Sequence, residues 1–422
     1  MAITRQHCIA LDDADELAAL RGRFILPDNL IYLDGNSLGA LPRHVPARIR
    51  DIVIDEWGVG LIRSWNDAAW IDAARRTAAR IAPLIGAGAD EVTVADSTSV
   101  NLFKLLVAAM RLNSGKDLLL TPAGNFPTDI YVAQGVADLL GVELRRAGPD
   151  VDDLLAALGP RVAVLAMSHV DYRTGRIYPM REITAAAHAA GALMLWDLSH
   201  SAGAIEVELD EAEVDFAVGC GYKYLNGGPG APAFAFVARR HLERVRHPLT
   251  GWFGHAQPFA FADNYTPAAG IDRMQCGTPP MLSLLALESA LEVFDGVSVA
   301  ALRAKSMALG DLFIRLVDAA LVGLDITVAS PRDASLRGSQ VSLTHAHGYP
   351  IVQALIANGI IGDFRAPDIL RFGLAPLYVR FVDVFDTVEM IGRILRTGEW
   401  NQPKSTRGRP LPDAVIARAI LA

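Results

Sequence analysis

Lys223 stands in the run Gly219-Cys220-Gly221-Tyr222-Lys223, after the apolar segment Val214 to Val218 and before the turn cluster Asn226-Gly227-Gly228-Pro229-Gly230. A lysine at a strand end, among glycines that permit close backbone approach, can form a Schiff base with a carbonyl compound. A lysine in a polar loop is by itself usually just solvated, so its companions decide the matter. Asp197 directly follows the apolar run Leu193 to Trp196 and precedes Lys223 by 26 positions. A carboxylate there is costly to bury unless it meets a cation or hydrogen-bond donors, although an N-cap would also explain it. One strand between the two residues brings both to the same edge of a parallel sheet.

Other predicted strand ends carry matching groups. After Val94-Ala95 come Asp96-Ser97-Thr98-Ser99, hydroxyls that cap a helix and that also make its N-terminus a phosphate site. After Leu118 to Leu120 comes Asn125-Phe126-Pro127-Thr128-Asp129, an ordinary helix start whose aromatic could stack on a planar ring. Lysine, carboxylate, phosphate turn and aromatic are the set that pyridoxal 5'-phosphate (PLP) requires. The lysine takes its aldehyde, and the carboxylate keeps its pyridine nitrogen protonated as an electron sink.

These groups need a sheet to hold them. From Glu91 to about Ala238, short continuous apolar strands alternate with helices, which predicts a mostly parallel sheet covered on both faces. Ligands of such sheets bind at the carboxyl ends of the strands. Beyond Leu282, helices interspersed with shorter strands predict a smaller α+β domain. The expected division is an N-terminal segment 1–50 packing on the small domain, a large cofactor-binding domain 51–290, and a small domain 291–422 with a tail from about 398. Between Arg48 and Ala82 helical periodicity dominates, interrupted near Gly58-Val59-Gly60.

Composition narrows the class. With 422 residues, 51% of them apolar, the chain has material for an extensive core, and its net charge of -8 offers no basic field for nucleic acid or anionic membrane. The basic cluster Lys404 to Arg409 reads as a solvated face. Three scattered cysteines, Cys8, Cys220 and Cys276, form no CxxC pair, so neither a disulfide framework nor a zinc site is expected. No bound metal is expected. The apolar runs are too short to span a bilayer and the N-terminus lacks a signal-like apolar stretch, so a cytoplasmic location is expected.

The segments LDGNSLGALP (33–42), NFPTD (125–129), DLSHSAGA (197–204), YKYLNGGPG (222–230), GWFGH (251–255), CGTPP (276–280) and RFGLAPLY (371–378) occur in this order. Together they resemble kynureninase, of the aminotransferase-like, fold-type-I class of PLP enzymes. The resemblance implies that Lys223 carries the cofactor, Asp197 pairs with the pyridine nitrogen and Phe126 stacks on the ring. It implies cofactor or phosphate contacts for Thr98, Ser99, Asp129, Ser168, His200 and Tyr222. Trp252 and Thr278 would complete the site from the partner subunit of a homodimer. Arg371 would grip the substrate α-carboxylate, assisted by Asn36. The implied reaction is hydrolysis of L-kynurenine to anthranilate and L-alanine in tryptophan catabolism, on the kynurenine pathway toward NAD biosynthesis. Lys223 would move the Cα proton, and Lys223 and Tyr222 would serve hydration of the γ-carbonyl.

Trp65 and Thr278 stand where animal-type members are expected to carry histidine and asparagine, which resembles bacterial-type enzymes that prefer kynurenine over 3-hydroxykynurenine. Gly221 is a departure, since a hydroxyl-bearing residue is expected there. A cysteine desulfurase of the same fold would need a reactive cysteine in a mobile loop, and none of the three has that context. A non-enzymatic scaffold would show a broken lysine–aspartate pair or an added nucleic-acid-binding domain, and neither is seen.

Overall fold

The computed structural model describes residues 3–401. The expected basic cluster Lys404 to Arg409 and most of the expected tail lie outside the described residues. The centre is a seven-stranded sheet of β1 (Val92–Val94), β2 (Leu118–Pro122), β3 (Glu143–Ala147), β4 (Val162–Ser168), β5 (Leu193–Asp197), β6 (Phe216–Gly219) and β7 (Phe234–Val237). Their spatial order is β1-β7-β6-β5-β4-β2-β3. Only β7 runs against its neighbours, and the remaining pairings are parallel.

The continuous apolar character of β4 follows from its place in the middle. All seven of its residues are buried, because helices cover both faces. Val164 and Ala166 pack with Leu102, Leu105 and Leu106 of the helix Thr98–Leu112, whereas Leu165 and Met167 belong to the core on the opposite face. Strand β3, at the edge, keeps Glu143, Arg145 and Arg146 in solvent.

The smaller sheet is antiparallel, in the order β8 (Thr327–Val328), β9 (Gln340–Thr344), β11 (Ile369–Gly373), β10 (Asp363–Arg365). Strand β8 has only two residues, since Leu324 ends a turn and Asp325 takes a positive φ of 52°. The helical stretch expected from Arg48 to Ala82 is broken more deeply than its glycines suggest. The helix Val45–Asp51 widens into π turns over Ile52–Gly60, Leu61 turns left-handed at φ 54°, and after a single α-turn at Ser64–Asp67 a longer helix resumes at Ala73–Ile81.

The N-terminal residues are fastened to the small sheet's helices. The helix Arg5–Asp13 packs on the helix Phe381–Thr397, and the Asp12 carboxylate accepts the Phe381 and Val382 amides at 2.6 and 3.0 Å. That caps a helix from far along the chain. Ile31 and Tyr32 pair in parallel with Ile360 and Ile361. The chain then crosses between the sheets: the Gly373 amide donates to the Leu33 carbonyl at 2.6 Å, and the Gly39 amide to the Tyr222 carbonyl at 2.8 Å. A side chain at Gly39 would place its Cβ 2.3 Å from the Lys223 carbonyl oxygen, so glycine is required there.

Candidate active site

The carboxyl ends of β1, β2, β4, β5 and β6 converge on a cavity of about 240 Å³. On one side the helix Thr98–Leu112 begins, with Ser97 as its N-cap accepting the Val100 amide at 3.4 Å and Thr98 and Ser99 on the cavity wall. Free amides and hydroxyls at a helix start suit a phosphate. On another side is Phe126, which opens the helix Pro127–Leu140 and meets Tyr172 edge-on at 5.2 Å between centroids.

Lys223 is buried between these walls. Its Nζ lies 3.0 Å from His200 Nε2, 5.6 Å from the Phe126 ring centre and 5.9 Å from that of Tyr222. Burial, reinforced by the Lys223 charge, holds His200 well below its ordinary range, so the imidazole is neutral; its Nδ1 is buried without a partner in the chain. The Tyr222 phenol is pushed above its ordinary range by burial and stays protonated at neutral pH.

Two carboxyl groups face the lysine. Asp197, at the end of β5, accepts the Ser199 amide at 2.8 Å and the Ser199 hydroxyl at 2.6 Å. Burial raises both Asp197 and Asp129, and the Asp197 charge raises Asp129 further, well above its ordinary range. Two buried acids that interact in this way disfavour a second negative charge. Ser168, at the end of β4, is set by Asn125, whose Oδ1 accepts the Ser168 amide at 3.1 Å and hydroxyl at 2.8 Å.

A second cavity of about 820 Å³ shares Phe126, His200, Tyr222 and Lys223 with the first and runs to the small sheet. Arg371 and Asn36 line it. Register places Asp363 of β10 opposite Arg371 of β11, and their side chains join as a cross-strand ion pair with Nε donating to Oδ1 at 2.7 Å. Arg371 Nη1 donates to the Tyr172 carbonyl at 2.6 Å and Nη2 to Ser37 Oγ at 3.0 Å. Asn36 Nδ2 donates to Gln340 Oε1 at 3.4 Å, and its Oδ1 has no partner.

Thr98, Ser99, Phe126, Asp129, Ser168, Asp197, His200, Tyr222, Lys223, Asn36 and Arg371 thus gather around two joined cavities. Trp65, Trp252 and Thr278 do not: within one chain none of them lines either cavity. Trp65 and Trp252 both meet Phe253, at 6.1 and 5.0 Å between centroids. The Phe253 amide bonds the Cys276 carbonyl, which brings the Thr278 loop beside them. Thr278 is exposed.

Sequence reasoning passed over Asp34, Ser37, Asp363, Arg365 and Asn125. The alternation Asp363-Phe364-Arg365 before the strand of Arg371 was a usable sign of a charged hairpin face, but the pairing itself depends on a turn that spacing does not reveal. At Gly221 a Cβ would stand 2.4 Å from the Pro232 carbonyl oxygen, so backbone crowding accounts for the missing hydroxyl side chain.

A family model described as the kynureninase C-terminal domain matches residues 302–391. The kynureninase of Deinococcus radiodurans is 54% identical over 92% of this chain and 95% of its own length, and that of Pseudomonas fluorescens 48% over 94% and 97%. Among solved structures, a cysteine desulfurase from Thermococcus onnurineus superimposes with a TM-score of 0.77 at 18% identity, covering 90% of this chain and 98% of its own. A C-DES mutant with glycine covalently linked to its PLP cofactor gives the same TM-score and identity, covering 88% and 98%. The two solved structures share the fold of fold-type-I PLP enzymes with this chain, and the two relatives place it more narrowly: the chain belongs to the kynureninase family.

Proposed function

We propose that this protein binds PLP at Lys223 and hydrolyses L-kynurenine to anthranilate and L-alanine, and that the site residues act as follows. The observation that carries this reading is the convergence of amine, carboxylate, aromatic face and hydroxyl-rich helix start on one cavity that opens toward a buried arginine. The donor set fits the cofactor. Ser97, Thr98 and Ser99 would hold its phosphate, Phe126 its ring face and Asp197 its pyridine nitrogen, and the partnerless His200 Nδ1 supplies a further buried polar group. When bound, PLP supplies an electrophilic aldehyde and a ring that accepts electron density from the substrate.

The chain's own groups do the rest. Arg371 orients the substrate through its α-carboxylate. Lys223 Nζ takes the Cα proton and returns it, with the neutral His200 Nε2 at 3.0 Å as the acceptor that steadies it. Water adds to the γ-carbonyl, with Lys223 as base and the protonated Tyr222 as hydrogen-bond donor to the developing oxyanion. As the Cβ–Cγ bond breaks, its electron pair stays with Cβ and Lys223 returns to Cβ the proton taken from water, so that Cγ ends in the anthranilate carboxyl group and Cβ in the alanine methyl group.

Trp65, Trp252 and Thr278 act in the site of a second copy, which makes the enzyme a homodimer with shared sites. Supporting this, the chain exposes a run of large apolar residues, Ile54, Trp57, Val59, Leu61 and Ile62, together with Phe259 and Phe261. Across the dimer Trp65 and Thr278 would border the substrate's aryl ring and favour kynurenine over 3-hydroxykynurenine. The domain division 1–50, 51–290 and 291–422 belongs to the same reading. So does a cytoplasmic role in tryptophan catabolism, on the kynurenine pathway feeding NAD biosynthesis. Among the described residues no helix is long and apolar enough to cross a membrane.

The desulfurase reading is disfavoured by the thiols. Cys8 and Cys220 are buried, Cys276 is half-buried, and burial pushes all three away from the reactive thiolate. The test is to incubate the PLP-loaded protein with kynurenine and with cysteine. Fluorescent anthranilate with equimolar alanine supports the proposal, and sulfide without anthranilate overturns it.

A further inference from the structure

The larger cavity holds a second guanidinium besides Arg371. Arg365 lines it on strand β10 and reaches the same carboxylate, its Nη2 lying 2.9 Å from Asp363 Oδ2. Arg371 Nη2 also meets that oxygen. The two guanidiniums therefore stand side by side across one acid, with Ser37 Oγ within 3.0 Å of Arg371 Nη2 and 3.5 Å of Arg365 Nη2.

Counting donors separates their duties. A guanidinium offers five N–H groups, and a two-pronged grip on a carboxylate needs two of them. Arg371 spends its Nε and one Nη2 hydrogen on Asp363, the other Nη2 hydrogen on Ser37, and one Nη1 hydrogen on the Tyr172 carbonyl. One donor remains. Arg365 spends its Nη2 hydrogens on Asp363 and Ser37 and one Nη1 hydrogen on the Phe364 carbonyl, which leaves two donors, the second Nη1 hydrogen and the buried Nε, which has no partner. Charge agrees with this count. Burial, then the negative charge of Asp363, pushes Asp34 up to about 7, so two arginines face one fully ionised acid and one that is partly protonated at neutral pH. The wall retains positive charge for an incoming anion.

We propose that Arg365 is a second carboxylate ligand, which with Arg371 forms a fork of two guanidiniums for the α-carboxylate of the amino-acid substrate. This rests on the functional reading above. It also differs from a one-arginine grip in its consequence: affinity for the carboxylate then depends on Arg365 even when Arg371 is intact.

The test compares L-kynurenine with its decarboxylated analogue kynuramine, using the PLP-loaded full chain. Arg365→Met is expected to raise KM for kynurenine by about 10- to 100-fold, the size of a lost hydrogen bond to a charged group. Its kcat and the competitive inhibition constant of kynuramine should stay within about twofold, since neither draws on the carboxylate contact. A rise in KM below about threefold, or an equal weakening of kynuramine, overturns the proposal. Arg365→Lys keeps the charge but not the fork, and is expected to show a smaller KM rise with kynuramine unchanged. If the methionine variant does not fold, the lysine variant decides by the same criterion. If the wild-type protein does not cleave kynurenine, the functional reading fails. The fork is then judged on equilibrium binding of L-alanine against ethylamine, read from cofactor absorbance, where Arg365→Met must weaken alanine alone.

Discussion

Replacing Lys104 with methionine isolates how the Asp96–Ser99 turn, proposed to hold the cofactor phosphate, is braced. Lys104 lies on the helix Thr98–Leu112 and is wholly inaccessible to solvent. Its Nζ donates to Asp96 Oδ2 and to the Met274 carbonyl, both at 2.7 Å. Asp96 has a left-handed φ of 52° immediately before the cap Ser97, a conformation that needs outside support. Removing one partner of a buried ion pair costs ~3–5 kcal/mol. Asp96, with its side chain 30% exposed, recovers part of this by rehydration. The Met274 carbonyl does not, and an unmet buried acceptor costs ~1–3 kcal/mol. Methionine fills nearly the same space, so a net loss of ~2–3 kcal/mol follows. If half of it falls on the Asp96–Ser99 turn, PLP affinity drops about tenfold. The assays are urea denaturation of the apo-protein and equilibrium titration with PLP. An unchanged urea midpoint together with unchanged PLP affinity would refute the idea that this lysine braces the turn.

Asp34, raised to about 7 by burial and by Asp363, is held protonated more tightly in the fold than in the unfolded chain. Its contribution thus favours folding at low pH and is lost as pH climbs from the ordinary carboxylate range toward 7. Asp34→Asn should gain in urea midpoint relative to wild type between about pH 5 and about pH 8, and a gap that is flat or reversed across that window contradicts the assignment. Gly39→Ala would force a methyl group to 2.3 Å from the Lys223 carbonyl oxygen and 2.7 Å from Asn226 Cα, both backbone atoms that cannot move aside. It should lower stability by ~1–3 kcal/mol and reduce kcat/KM for kynurenine, and a variant matching wild type in thermal melting and turnover would show that the loop is not pressed on Lys223.

The site was legible in the sequence where one strand end sufficed to define it. Lys223, Asp197, Phe126 and the Ser97–Ser99 turn each follow a continuous apolar strand, and parallel topology brings such ends together whatever the details of packing. The charged group around Arg371 was half legible. Arg371 sat in a recognisable motif, but Asp363, Arg365, Ser37 and Asp34 come from two chain regions joined only by tertiary pairing. The helical stretch from Arg48 was read too smoothly, because its periodicity persists through turns that widen and then reverse at Leu61. Trp252 and Thr278 were expected to serve the site of a partner subunit, and within one chain they and Trp65 line neither cavity, so their part in a site is a question of assembly that one chain's pattern does not carry.

The most direct test of the central claim is reductive trapping. The PLP-loaded protein is treated with borohydride, digested and mapped by mass spectrometry, alongside Lys223→Ala assayed for anthranilate release. The account predicts the cofactor mass on the Lys223 peptide and no anthranilate from the variant. A cofactor mass on any other lysine, or normal kynurenine cleavage by Lys223→Ala, would contradict it.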